Sequence, residues 1–155
     1  MIKLLRIDHR LLHGQVAFSW TSQIGADCIL LASDTLLQDN LRLSAIKIAK
    51  PNGIKVVAKS VEDAITAIKS GITDKYKLFI VVENIKDADR IARALDLKQV
   101  NLGGTKPAAD RKLLSKAVYV TEEDVQLLKA MIQDGIEVFN QMIPTEKRIE
   151  TKTLI

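Results

Sequence analysis

Ile2-Lys3-Leu4-Leu5-Arg6-Ile7-Asp8-His9-Arg10-Leu11-Leu12-His13-Gly14-Gln15-Val16, with the stretch to Trp20 behind it, decides how this chain is read. Its first residues form a short apolar strand, Val16 to Trp20 take up helical spacing, and a charged cluster fills the joint. Strand, polar loop and helix make the repeating unit of a parallel α/β sheet, where ligands gather at the carboxyl ends of the strands. This joint holds an acid, two arginines, a glycine and both histidines of the chain.

The same alternation continues outward. Strands are expected near residues 2–7, 27–33, 54–58, 77–82, 98–102, 117–120 and 136–142, and helices near 14–23, 38–49, 61–70, 86–95 and 122–134. In the third helix Val61, Ala64, Ile65 and Ile68 recur at helical spacing, Ser60 stands at the cap and Gly71 follows the end. The second and fourth strands are almost wholly apolar, which places them in the middle of the sheet. Residues 136–142 alternate apolar and polar, an edge pattern, and the tail from Pro144 through Lys152 is expected to leave the core. The expectation is one α/β domain over residues 1–155, with a mainly parallel central sheet of six or seven strands and helices on both faces.

Composition narrows the function. A chain of 155 residues that is 47% hydrophobic suffices for a single buried core. The net charge of +4 comes from 23 basic and 19 acidic residues interspersed along the chain, and one Trp, two Tyr and three Phe offer few stacking rings. A nucleic-acid partner is therefore not expected, whereas a small acidic group or an acidic protein surface is. The longest apolar runs, such as Leu78 to Val82, are strand-sized and fall far short of the roughly 20 residues of a membrane-spanning helix. The N-terminus lacks the succession of regions in a secretory signal, so a cytoplasmic location is expected. Cys28 is the only cysteine and lies inside the apolar run Cys28 to Ala32, the setting of a buried small residue.

Three loops fall at carboxyl ends of strands: Asp8 to Gly14, Ser33-Asp34-Thr35, and Asn101-Leu102-Gly103-Gly104-Thr105-Lys106. All three suit an oxyanion, through small residues, hydrogen-bonding side chains and glycines that let backbone approach closely. His13 precedes Gly14 and the first helix, where unpaired N–H groups and the positive end of the helix dipole favour phosphate. Arg10 adds a planar donor able to hold two phosphate oxygens, and a neutral imidazole is a competent nucleophile beside it. Asp8 is placed to orient either Arg10 or the second nitrogen of His13. The cluster thus has the makings of a phosphoryl-transfer site.

Plainer readings stand beside these. A loop histidine is usually just solvated, Asp8 can simply cap or pair with Arg10, and Ser33 and Asp34 can cap the next helix. Arg6, inside the strand, is free to point away from the rim, and Trp20 suits core or groove lining. The four-residue spacing of His9 and His13 hints at metal, but the pair straddles a loop and no third ligand is evident, so no metal is expected. Gly103 and Gly104 form a bare turn, without the Gly-x-Gly-x-x-Gly or Gly-Lys-Ser/Thr pattern of a nucleotide loop.

The stretch from Arg6 to Val16 resembles the phosphorylation-site motif of the IIB subunits of the mannose/fructose/sorbose-type bacterial sugar phosphotransferase system. Trp20, the Ser33-Asp34 pair and the Asn-x-Gly-Gly turn at 101–104 extend the likeness over nearly the whole chain. The resemblance implies that His13 accepts a phosphoryl group from a phosphohistidine on a IIA partner and passes it to a sugar held by membrane subunits IIC and IID. It implies no nucleotide, metal or other cofactor, peripheral attachment to the inner face of the membrane through IIC and IID, and Nδ1 as the phosphorylated atom. It assigns Asp8, Arg10, Gly14 and Gln15 to the active-site loop, with Ser33, Asp34, Gly103 and Gly104 as neighbours. Many members of that family carry a second acid where this chain has His9. The alternative is a noncatalytic module of the same fold that holds an anion or a partner on its basic rim.

Overall fold

The computed structural model describes residues 1–155. Along the chain run β1 (Ile2–Asp8), α1 (Gly14–Ile24), β2 (Cys28–Ala32), α2 (Asn40–Ala49), β3 (Lys55–Lys59), α3 (Val61–Lys69), β4 (Leu78–Val82) and α4 (Ile85–Ala94). Then follow β5 (Gln99–Gly104), β6 (Lys112–Ser115), β7 (Val118–Val120), α5 (Glu122–Gln133), β8 (Glu137–Asn140) and β9 (Ile149–Glu150). Seven strands form one sheet in the order β3-β2-β4-β1-β5-β8-β9, parallel except for the β8–β9 pair, and β6 and β7 make a separate hairpin.

Local chemistry explains where the helices begin. Asp39, Ser60 and Asn84 each accept an N–H three residues on, from Arg42, Asp63 and Asp87, and Thr121 and Asp124 cap each other reciprocally. Such caps contribute about 1 kcal/mol apiece. Gly25 ends α1 in the left-handed conformation, at φ 67°.

Two apolar layers sandwich the sheet. Leu4, Ile29, Leu31, Phe79 and Val81 point to the side covered by Ala17 and Trp20 of α1 and Ile46 of α2. Leu5, Ile7, Leu30, Ile80 and Val82 point to the side covered by α3, α4 and α5. Every residue of β2 and β4 is buried, as their unbroken apolar runs require. Each such side chain contributes about 1.5–3 kcal/mol.

Because right-handed crossovers take the chain from β1 toward β2 over one face and from β4 toward β5 over the other, the direction of winding reverses between β1 and β4. Their carboxyl ends therefore part to leave a crevice. The Asp8–Gly14 loop lies at its lip.

Four expectations need correction. Residues 118–120 pair with β6 in the hairpin rather than joining the main sheet, which reaches seven strands through β9 instead. The tail does not leave the core: β9 pairs with β8, Thr151 is fully buried and donates to Asn140, and the Arg148 guanidinium lies 3.7 Å from the centre of the Phe139 ring. β8 is therefore an interior strand, and its polar Asn140 is satisfied by Thr151 and Ser115 rather than by water. Finally, β1 holds the middle of the sheet, with β2 and β4 inside but to one side.

Candidate functional site

The site is built at the end of β1. Asp8 is 1% exposed, and its carbonyl accepts the Leu11 N–H at 2.9 Å, closing a tight turn. Leu11 takes a left-handed φ of 61°, costly for a residue with a Cβ, yet its side chain and that of Leu12 are buried under α1. Two leucine anchors thus hold the loop down and fix where His13 emerges. His13 is the N-cap of α1, with extended backbone, and the first helical bond runs from Ala17 N–H to its carbonyl. The N–H groups of Gly14, Gln15 and Val16 consequently have no intrahelical partner.

Asp8 organises the charges. Its Oδ2 lies 3.1 Å from His13 Nε2 and accepts from Arg6 Nη2 at 3.1 Å, while Oδ1 accepts the Arg10 backbone N–H at 3.1 Å. Burial pushes the Asp8 carboxyl up, but the His13 hydrogen bond, the Arg6 charge and the Arg10 N–H together outweigh it and hold the group well below the usual carboxylate range. An ionised Asp8 accepts a proton-bearing Nε2, so the Nδ1 lone pair of His13 is free. The only side-chain hydrogen bond of His13 is the one at Nε2, and the side chain is 24% exposed. Arg10 extends its guanidinium outward, 47% exposed, with Nε 3.6 Å from Asp8 Oδ1.

Arg6 overturns the expectation that it is free to point away from the rim. It is buried at 2% exposure, and Nη1 donates to Asn101 Oδ1 at 2.6 Å and to the Gln141 carbonyl at 3.2 Å. Burial lowers its pKa and Asp8 opposes that shift. Trp20 closes the network from the other face: its ring centre lies 5.4 Å from the Arg6 guanidinium and its indole N–H donates to the Met142 carbonyl at 2.9 Å. A chain of contacts therefore runs from Asn101 through Arg6 and Asp8 to His13.

The remaining candidates have other contacts. Ser33 donates to Glu83 at 2.8 Å and accepts from the Leu36 N–H, and Asp34 accepts from the Val61 N–H at 3.0 Å and pairs with Arg90. Neither bonds to the Asp8–His13 group. Gly103 and Gly104 belong to β5 rather than to a turn. A Cβ on Gly103 would stand 2.3 Å from the Arg6 guanidinium carbon, and the Gly104 carbonyl accepts the His9 N–H at 3.1 Å. Gly14 and Gln15 are exposed beside His13 at the start of α1. Of the supporting parts, Arg6 and Asn101 stand in the motif and the third loop without the buried bond that joins them, and Gln141 was not singled out from sequence; a glycine inside a strand, which signals close approach of another group, was the available clue. Cys28 is buried at the opposite rim, at the start of β2, and burial pushes its thiol up, away from the reactive thiolate.

Comparison with known proteins gives the family of the chain. A probable phosphotransferase enzyme IIB component of Streptococcus pyogenes is 30% identical over 162 aligned positions, covering 100% of this chain and 99% of that protein. The mannose-specific EIIAB component of Escherichia coli is 29% identical over 159 positions; the match covers all of this chain and 48% of that longer protein. The crystal structure of the IIB domain of the Klebsiella pneumoniae sorbose permease superposes with a TM-score of 0.91 at 26% identity, covering 97% of this chain and 93% of that one. The family profile described as PTS system sorbose subfamily IIB component matches residues 2–155. The chain belongs to the sorbose-type IIB family of the sugar phosphotransferase system.

Proposed function

We propose that this IIB protein carries the phosphoryl group on Nδ1 of His13, taking it from a phosphorylated IIA partner and giving it to a sugar held by the IIC and IID membrane subunits. The observation that carries the reading is the 3.1 Å contact of Asp8 with His13 Nε2, which leaves the other ring nitrogen unbonded at the rim. In the first step the Nδ1 lone pair attacks phosphorus, the donor's N–P bond breaks, and its electron pair returns to the donor imidazole. The ring of His13, now bearing phosphorus on Nδ1 and a proton on Nε2, is cationic, and ionised Asp8 pairs with that charge. In the second step a sugar hydroxyl forms the P–O bond, the P–Nδ1 electrons return to His13, and the hydroxyl proton leaves to solvent.

Positioning and charge carry most of the work, since phosphohistidine already holds transferable phosphate. Arg10 and the free N–H groups of Gly14 and Gln15 receive the phosphoryl oxygens, while Ser33 and Asp34 shape the neighbouring loop after β2 and Gly103 and Gly104 form the neighbouring end of β5. The EIIAB relative, whose name joins A and B components, supports a IIA partner. No helix is long and apolar enough to cross a membrane; in this reading contact with the bilayer runs through IIC and IID. Incubation with phosphorylated IIA should yield an acid-labile, base-stable label on His13, with the ³¹P shift of an Nδ1-phosphohistidine; a fully labelled His13→Ala protein sinks the reading.

A further inference from the structure

We propose that the crevice cavity behind His9 is a second oxyanion site, separate from the phosphoryl position on His13, and that it takes a phosphate monoester of a small sugar. The choice of a sugar ester, though not the oxyanion chemistry, rests on the phosphoryl-carrier reading above.

The cavity measures about 450 Å³ and has no apolar residue in its wall. It lies where the winding direction reverses: His9 follows β1, Glu83 and Asn84 follow β4, Lys106 follows β5, and Arg42 reaches in from α2. Only two buried side-chain nitrogens in the molecule lack a hydrogen-bond partner, His9 Nδ1 and Arg111 Nε, and both residues line this one cavity. Buried polar atoms are ordinarily hydrogen-bonded, so two nitrogens without a protein partner in the wall of one polar pocket point to a polar ligand.

The charges choose its sign. Glu83 is already engaged, Oε1 accepting from Ser33 and Thr35 and Oε2 from Arg42 at 3.0 Å. Asp39 accepts the Arg42 N–H, and Asn84 spends its carbonyl oxygen on Asp87 N–H, leaving its amide nitrogen. Lys106 and Arg111 have no carboxylate partner; the Arg111 guanidinium donates only to the Lys106 carbonyl, at 2.8 Å. The unspent groups are thus an ammonium, a guanidinium, an amide N–H₂ and an imidazole, a set that answers an oxyanion. His9 Nδ1 serves either way: with a proton it donates to phosphate, with a lone pair it accepts from a hydroxyl. A sugar phosphate offers both.

The test is titration of the full-length ¹⁵N-labelled protein with glucose 6-phosphate, read at the His9 ring and Arg111 Nε–H resonances. Saturable shifts at both are expected, with affinity unchanged in His13→Ala and about tenfold weaker in Arg111→Gln and in Lys106→Gln, whose exposed side chain leaves folding untouched. Equal affinity for inorganic phosphate supports the oxyanion site and assigns its source to free phosphate. No saturation, equal binding of unphosphorylated glucose, or binding that His13→Ala abolishes and Lys106→Gln spares overturns it. Labelling of His13 by phosphorylated IIA is a separate readout, so a failed relay and an empty cavity give different results.

Discussion

The Arg6 guanidinium occupies the space that a side chain at position 103 would fill: a Cβ there would lie 2.3 to 2.4 Å from its carbon and both terminal nitrogens. Gly103→Ala therefore forces Arg6 out of its bonds to Asp8 and Asn101, or pushes β5 away from β1. A loss of about 1–3 kcal/mol is expected, as for other overpacked sites, together with slower phosphorylation of His13. Urea unfolding midpoints and the rate of label uptake measure the two. A variant as stable and as fast as the parent would show that Arg6 has room to spare.

Asp8→Asn removes the charge while keeping the shape. Arg6 and Asp8 are 3% and 2% exposed, so the change strands a buried guanidinium at a cost of about 3 kcal/mol. The pH dependence has a definite sign. A carboxyl whose folded pKa is depressed stabilises the fold fully above its unfolded pKa of about 4, and that stabilisation is lost as pH falls below it. Stability differences between parent and variant should therefore be large at pH 7 and shrink under acid. A difference that stays constant down to pH 3 contradicts the assignment of Asp8 as the ionised partner.

His9 titrates higher. Burial lowers its pKa below the usual value of about 6.5, and Arg10, His13 and Lys106 reinforce the shift against the pull of Asp8. Between the two pKa values the unfolded chain binds the proton that the folded one refuses, so stability present above about pH 6.5 is lost as pH falls. His9→Asn should flatten this mild-acid part of the stability curve. Superimposable curves for parent and variant between pH 7 and pH 5 would remove the effect from His9.

How far the sequence reaches depends on how local the cause is. Apolar runs and caps are local, so Leu78–Val82, Ser60 and the helix from Val61 were legible directly. The Asp8–His13 contact spans five residues across one loop and was one of the two pairings that residue type and position offered Asp8. Arg6 was not legible, because what buries it lies far along the chain: Asn101 is 95 residues away and the Gln141 carbonyl 135. The tail escaped for the same reason. Its polar composition resembles a solvated end, yet Thr151 finds its partner in Asn140 and Arg148 finds an aromatic face in Phe139. Polar residues satisfied by distant polar residues carry no period that a sequence can display.

Arg10→Lys separates chemistry from scaffolding. The Arg10 backbone N–H, which makes the 3.1 Å bond to Asp8, is kept by any residue but proline, and the side chain is 47% exposed with only a 3.6 Å approach to the carboxylate. Stability should therefore change by no more than about 0.5 kcal/mol, as for other surface substitutions. Transfer should suffer more, because an ammonium cannot hold two phosphoryl oxygens in one plane as a guanidinium does; about tenfold slower labelling from phosphorylated IIA is expected, the equivalent of one charge-assisted hydrogen bond. Rapid-quench measurement of His13 labelling beside a urea titration resolves the two effects. An unchanged rate with a large drop in stability would reverse the roles, making Arg10 a strut of the loop and leaving the phosphoryl oxygens to the helix N–H groups alone.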